Sequence, residues 1–408
     1  MEKHALILTT TSDFLWKFER KNVNILKQMG YVVHFAANMD EPPYRSEKER
    51  LGEMGIRLHP IAIARSPFLF QENQKALRQI CEIIRKYSIQ VIHCHTPVGG
   101  VLGRLAGHFV KDPNPVVIYT AHGFHFYKGA PFFNWMTYYE VEKALARYTD
   151  ILIVINEEDY RNAKEFRLRK KGTVYKIPGV GLDTGVFHPL PEEERRAGRE
   201  RLGIRDDEFF LLSVGELNAN KNHKTVLEAL VRLRETRRDI SPIRYGICGD
   251  GFFWDRLERW IMEMGLKNTV TLYGYCLNVP EILGCADAAV FPSIREGLGM
   301  AGLEALAMGV PVIASDNRGT REYMEHGRNG LVYRHDDIGG FAQGIEILSH
   351  MGADAKKAMR RHCLDSVRPF ERRYANAVMR RIYADVDKRI GRMYHEQIRE
   401  RQHRYGRV

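Results

Sequence analysis

Short apolar runs alternate with amphipathic stretches along almost the whole of this 408-residue chain, and midway the alternation starts again. Ala5–Thr9, Val32–Ala37, Val91–His93, Val116–Thr120 and Ile151–Ile155 read as buried strands. The stretches Trp16–Met29 and Asn73–Tyr87 read as helices, the second with Leu77, Ile80, Ile83 and Ile84 on one face. Past the turn-forming residues Pro178, Gly179, Gly181, Pro189 and Pro191 and the charged run Glu192–Arg201, which together suggest a hinge, the series resumes. Strands are expected at Phe209–Val214, Tyr245–Cys248, Val270–Tyr273, Ala288–Phe291 and Pro311–Ala314. Helices are expected at Lys224–Glu235, Phe253–Met264, Val279–Cys285, Gly302–Met308 and, after Pro369, Phe370–Arg389. Strand–helix alternation of this kind folds as parallel sheets wrapped by helices, so the predicted class is α/β, with two Rossmann-like doubly wound domains facing across a cleft. The expected division is residues 1–185, 186–368, and a C-terminal helix with an Arg-rich tail over 369–408.

Composition narrows the function classes. Apolar residues make up 44% and charged residues 28%, which excludes collagen-like and largely disordered chains. No apolar run reaches the ~18 residues of a membrane helix, and Ala5–Leu8 reads as a strand and not a leader. The six cysteines form no C-x-x-C pair, which fits a reduced, cytoplasmic compartment. The net charge of +11 is uneven. Up to Asp183 there are 26 Lys/Arg against 19 Asp/Glu, and from Arg389 onward six Arg against two Glu. Phosphate-bearing substrates and an anionic membrane surface are the partners this favours. Nucleic acid is not expected, because no recognition module or basic-aromatic stripe is present. The aromatic-rich stretch Phe124–Tyr139, with Lys128 inside it and Lys143 and Arg147 beyond, suggests a surface able to lie against lipid headgroups.

The most informative segment runs from Phe291 to Gly309. A buried strand leads into a turn containing Gly297 and Gly299, and a helix follows, so free N–H groups and the positive end of a helix dipole form a phosphate cradle. Glu296 precedes that helix and Glu304 lies one to two turns inside it. Carboxylates flanked by buried strands are poorly explained as surface decoration. Among the sixteen histidines, His95, His122 and His125 fall just past strand ends, where α/β domains bind ligands, whereas His93 reads as structural. No Cys/His ligand cluster is evident, so no metal site is expected.

The spacing Glu296–x7–Glu304 resembles the E-x7-E motif of family 4 glycosyltransferases, retaining enzymes of the GT-B fold. Gly249-Asp-Gly251 followed by Leu257 is similar to that family's nucleotide-domain turn, Tyr273-Gly274-Tyr275 to its donor-base loop, and Ser315–Gly319 through Asn329-Gly330-Leu-Val to its closing segment. In the first half, Ile92–Gly100, Tyr119–Phe126, Asn156–Tyr160 and Gly215–Asn222 resemble the subgroup that builds bacterial capsular and exopolysaccharides. The resemblance implies transfer of a hexose or N-acetylhexosamine from a nucleotide sugar, UDP-linked by inference, to a polyprenyl-diphosphate-linked glycan, with neither cofactor nor metal. It further implies a terminal helix crossing back to the first domain. By the same resemblance Glu296, His122 and Lys221 are the catalytic group. Gly215, Gly249, Tyr273, Gly274, Tyr275, Gly297, Leu298, Gly299, Met300 and Glu304 would bind donor, and Ser12, Phe14, His95 and His125 acceptor. One departure is that Glu216 stands five residues before Lys221, where the family often has Arg. That departure keeps open a non-catalytic nucleotide-sugar-binding scaffold, and a nucleotide-sugar 2-epimerase of the same fold is the other alternative.

Overall fold

A computed structural model describes residues 2–40, 49–169, 171–236 and 242–405, with side chains described as far as Met393. The chain divides into two compact units, Met1–Gly181 with Arg373–Val408, and Leu182–Arg372. Each is a parallel sheet wrapped by helices.

The first unit has strands β1 (Lys3–Thr11), β2 (Tyr31–Asn38), β3 (Arg57–Pro60), β4 (Val91–His95), β5 (Val116–Ala121), β6 (Ile151–Val154) and β7 (Thr173–Lys176), in spatial order β3-β2-β1-β4-β5-β6-β7. The second has β8 (Phe209–Val214), β9 (Ile243–Cys248), β10 (Val270–Gly274), β11 (Ala288–Phe291), β12 (Val312–Ser315) and β13 (Gly330–Tyr333), in order β10-β9-β8-β11-β12-β13. Every pairing within the two sheets is parallel. Central strands are buried on both faces, which is why their sequences are continuous apolar runs such as Ala5-Leu-Ile-Leu8. In each sheet the winding direction reverses next to the first strand, between β1 and β4 and between β8 and β11. Loops leaving the carboxyl ends of those pairs diverge and leave a crevice, the usual ligand position in open α/β sheets.

Three local features depart from expectation. The predicted helix Trp16–Met29 is a π-helical turn, Leu15–Glu19, followed by the α-helix Arg20–Gln28, and the wider turn buries the Glu19 carboxyl. The charged run Glu192–Arg201 is not a hinge but a helix of the second unit. Its Arg195 and Arg199 bind Asp287 at 2.6 and 2.9 Å, and Arg199 also donates to the carbonyls of Cys285, Arg205 and Glu208. The unit boundaries fall at Gly181/Leu182 and Arg372/Arg373, several residues from the expected ones. Leu182 N donates to Phe370 O at 2.7 Å and Arg372 N to Leu182 O at 2.8 Å, knitting both segments into the second unit.

The helix Arg372–Tyr405 begins at that junction and packs on the first unit. Tyr383 reaches His93, Asp387 binds Lys3 and Tyr31, and Arg389 donates to Lys171 O and Thr173 Oγ1. Most of the Arg-rich tail, from residue 394, lies outside the described side chains. No described helix is long and apolar enough to cross a membrane.

Candidate functional site

In the second unit the crevice is built from two stitched loops. The loop after β8 closes as a 3-10 turn, Ala219–Lys221, because the Asn218 side chain accepts from Lys221 N at 3.1 Å. Asn220 then pairs with the loop after β11 three times. Its Oδ1 accepts from Arg295 N at 3.2 Å, its Nδ2 donates to Arg295 O at 3.0 Å, and its carbonyl accepts from Ile294 N at 2.8 Å. This stitching brings Lys221 Nζ to 2.7 Å from Glu296 Oε1 and 4.9 Å from the centre of the Phe291 ring. Both charged side chains are mostly buried.

Gly299 caps the helix Met300–Ala307 with φ +85°, and a Cβ there would lie 2.7 Å from the Phe291 ring, so only glycine fits. Tyr323 donates to Gly299 O at 3.0 Å and fixes the turn. The N-terminus of the helix, where Gly302 N donates to Gly299 O at 3.1 Å, lies directly after the Glu296 loop, and its dipole favours an anion there. Glu304 sits farther along it. Burial pushes its carboxyl up to about 7, against the pull of nearby Lys221.

At the ends of β8, β9 and β10, Gly215 N donates to Cys248 O at 3.0 Å and Gly249 N to Gly274 O at 2.7 Å. A Cβ on Gly249 would lie 1.8 Å from Gly215 O, a backbone clash no side chain movement relieves. Gly249→Ala is therefore expected to destabilise the second unit by on the order of 3 kcal/mol or more, read as a lowered denaturant midpoint. An unchanged midpoint would show that the loop is not held this way.

Tyr273 and the 72% exposed Tyr275 line a cavity of about 540 Å³ with Arg201 and Ile282, and the Gly274 backbone lies beside Gly249. Glu216 points outward, exposed, and Lys224 is engaged with Glu228 at 3.3 Å. A further cation near the Glu296 loop is Arg318, buried, whose Nε donates to Glu296 O at 3.3 Å. Sequence reasoning quoted Arg318 within a longer segment and gave it no role.

In the first unit Phe14, His95 and His122 meet at the β1/β4/β5 ends. The Phe14 ring lies 5.6 Å from that of His95 and 5.1 Å from that of His122. The His122 loop is held from beneath. Asn156 caps the helix Glu157–Lys164, and Asp159 on that helix accepts from Phe124 N at 3.1 Å. Together with Tyr138, Pro97 and Glu142, the residues Phe14, His122 and His125 line a mostly apolar cavity of about 230 Å³. At its floor Glu142 binds the wholly buried Arg104 at 2.7 Å, and the His125 ring stacks on Tyr138 at 4.7 Å.

His95 and Ser12 do not reach this cavity. His95 is fully buried beneath His122, with His95 Nδ1 3.2 Å from His122 Nε2, and Ser12, 2% exposed, is no part of the cavity wall. His95 Nε2 lies 3.4 Å from Glu19 Oε2, off the line of a straight hydrogen bond. Glu19, His93 and His95 offer ligand atoms within 4.8 Å of one another, a gathering the sequence did not announce. Both ring nitrogens of His93 are already engaged at 2.8 Å, with the Tyr383 hydroxyl and Thr120 Oγ1.

Of the aromatic-rich segment, Phe124 and Phe126 are core, Trp135 and Tyr139 lean on it, and Tyr138 serves the cavity. Phe132 (77% exposed), Phe133 (69%) and Met136 form an open apolar face beside it.

The family described as glycosyl transferases group 1 matches residues 194–362, and that described as glycosyl transferase 4-like matches residues 4–156. EpsD of Bacillus subtilis (strain 168), named as a glycosyltransferase, is 42% identical over 351 residues, 86% of this chain and 88% of that protein. An Escherichia coli enzyme named UDP-Gal:alpha-D-GlcNAc-diphosphoundecaprenol alpha-1,3-galactosyltransferase is 27% identical over 67% of this chain and 70% of its own. In fold, the chain matches Anabaena HepE in complex with UDP and glucose (TM-score 0.73, 17% identity, 95% of this chain and 99% of that one). It also matches sucrose-phosphate synthase of Thermosynechococcus elongatus (TM-score 0.74, 20% identity, 95% and 100%). Two Rossmann-like units, the Lys221–Glu296 pair ahead of a glycine-capped helix and a relative identical at 42% of positions agree: the chain belongs to the family 4-type glycosyltransferases of the GT-B fold.

Proposed function

We propose that this glycosyltransferase is a retaining, metal-independent enzyme that moves a hexose or N-acetylhexosamine from a UDP-sugar to a lipid-diphosphate-linked glycan in capsule or exopolysaccharide synthesis. The observation that carries the reading is Lys221 Nζ held 2.7 Å from Glu296 directly ahead of the Gly299-capped helix. A fixed cation and the positive end of a helix dipole are suited to a departing nucleoside diphosphate, and they supply the positive charge a metal would otherwise bring. Glu296 would hold hydroxyls of the donor sugar, Glu304 those of the ribose, and Gly297 to Met300 the diphosphate. With no nucleophilic carboxylate assigned, attack comes from the face the leaving group departs from. The acceptor oxygen bonds to the anomeric carbon as the bond to phosphate breaks, and the acceptor's proton passes to the departing phosphate oxygen.

The first unit would take the acceptor, with His122 serving the reacting sugar and Phe14 and His125 the acceptor glycan. A lipid-linked acceptor is supported by the name of the Escherichia coli relative and by the exposed face of Phe132, Phe133 and Met136 beside the cavity. With the basic excess of this half of the chain, that face fits a peripheral position on the cytoplasmic, anionic membrane surface.

The test presents purified protein with UDP-, GDP- and ADP-sugars and an acceptor carried in phosphatidylglycerol vesicles, in excess EDTA. Expected are release of UDP, an α-linked product from an α-linked donor, and a rate that falls as salt screens the vesicle surface. Activity lost in EDTA and restored by magnesium, an epimerised donor, or nucleotide binding without turnover would overturn the reading.

A further inference from the structure

Three side chains of the first unit, Glu19 and His95 buried and His122 half-buried, form a file that ends at the cavity. Glu19 Oε2 is 3.4 Å from His95 Nε2, and His95 Nδ1 is 3.2 Å from His122 Nε2. The remaining nitrogen, His122 Nδ1, bonds to no described residue and is not closed off by burial. His93 stands beside this file and not in it, since its two nitrogens are spent on Tyr383 and Thr120.

We propose that Glu19, acting through His95, sets the proton on His122, so that His122 offers the cavity a bare nitrogen when Glu19 is ionised and an N–H when Glu19 is protonated. The pairing allows only these two arrangements with neutral rings. With Glu19 ionised, a small turn of its carboxylate lets it accept from His95 Nε2–H, which at 3.4 Å has no hydrogen-bond partner, while His95 Nδ1 accepts from His122 Nε2–H and His122 Nδ1 is left as an acceptor. A proton taken up at His122 Nδ1 moves the Nε2 proton to His95 Nδ1, and the His95 Nε2 proton to Glu19. One proton enters, one O–H forms at Glu19, and no imidazolium results.

The surroundings favour this wire over a charged ring. Burial holds His122 down to about 4 and His95 well below the usual histidine range, while it pushes Glu19 up to about 7. The proton therefore rests on the carboxyl. The groups facing it are few. Asn22 donates to Glu19 Oε2 at 2.6 Å, Lys21 favours its ionised form, and Tyr383 approaches from the C-terminal helix. His93 and Phe14 flank His95 and His122. Glu19 and His95 are thus positioning residues for a group that meets the substrate, which rests on the glycosyltransferase reading above.

The test uses the full chain with ring-¹⁵N-labelled histidine, its His122 signals assigned by loss in His122→Gln. In the wild type the His122 proton is expected to move from Nδ1 below about pH 7 to Nε2 above it. In Glu19→Gln, Asn22 orients the amide oxygen toward His95, and His122 stays in the Nε2–H form from pH 6 to 8. In parallel, wild-type kcat/KM should change by about tenfold per pH unit below pH ~7, and Glu19→Gln by less than about twofold between pH 6 and 8. Glu19→Asp should restore the transition at a shifted pH, and serves also if Glu19→Gln fails to fold. An unaltered His122 tautomer pattern in Glu19→Gln, or a Glu19→Asp transition unmoved from wild type, overturns the relay. A wild type with the expected tautomer change and no turnover of any nucleotide sugar would instead overturn the functional reading and leave the relay standing.

Discussion

Alanine at Lys221 or at Glu296 is expected to lower turnover by roughly two to three orders of magnitude, the loss typical of removing one preorganised electrostatic stabiliser. The two side chains are a single device, because Lys221 Nζ lies 2.7 Å from Glu296 Oε1. Without Glu296, Lys221 loses the contact that fixes its head group over the Phe291 ring. Without Lys221, Glu296 faces the incoming diphosphate as an unneutralised negative charge. The double variant should therefore lose far less than the product of the two single losses. Lys221→Ala should act on kcat, since charge on the departing diphosphate grows as the sugar bond breaks. Stability should change little in either variant. The pair keeps some access to water, for which roughly 1 kcal/mol is the ordinary scale, and neither residue fills a core cavity. Steady-state UDP release and thermal melts on the three purified variants decide the matter. Near-normal turnover in both single variants would remove this pair from the chemistry.

What could be read from the residues beforehand follows from how local each signal is. The buried strands were legible because each is a short apolar run, and Glu296, Gly299 and Glu304 because strand, turn and helix all lie within twenty residues. The helix Pro97–Phe109 was not read. Its Gly99, Gly100, Gly103 and Gly107 weaken any helical signal, and their reason is tertiary. A Cβ at Gly100 would sit 2.4 Å from the Tyr119 ring, and one at Gly107 2.4 Å from Val117. The short edge strands β3, β7 and β13 gave too few residues for a pattern. The helix Glu192–Arg201 was hidden by its own charge, since what buries Arg199 is Asp287, nearly ninety residues later. His122 was legible as a histidine just past a strand end. The partners that set its state, His95 below it and Glu19 on the π turn, depend on three strands and a helix register that no motif encodes.

Acidification should unfold the first unit before the second. Burial holds His34 and His93 down to about 3, His122 down to about 4 and His95 well below its usual range, and all four belong to the first unit. A base whose folded value is depressed contributes nothing to the pH dependence above the unfolded value of ~6.5. As pH falls from there, the unfolded chain takes up protons that the folded chain refuses, and stability is lost. At pH 5 His34, His93 and His122 each cost roughly 2 kcal/mol, about 6 for the three, and His95 acts in the same direction. Glu19 works the other way. Its folded value is raised to about 7, so the fold is penalised above that and relieved as pH falls toward 4.5, which returns roughly 2.5 kcal/mol between pH 7.5 and 5. The net loss is on the order of 3–4 kcal/mol, or roughly 10 °C in Tm for a unit of this size. In the second unit the corresponding groups are His223, held down to about 4, and Glu304, raised to about 7, and they nearly cancel. Calorimetry between pH 7.5 and 5 should thus show one transition moving down while another stays within a few degrees. Fluorescence can assign them, since Trp16 and Trp135 lie in the first unit and Trp254 and Trp260 in the second. With Trp16 and Trp135 replaced by Phe, the emission change should follow only the transition that stays. If the second unit melts first, or both fall together by the same amount, the buried histidines of the first unit are not neutral, proton-refusing groups.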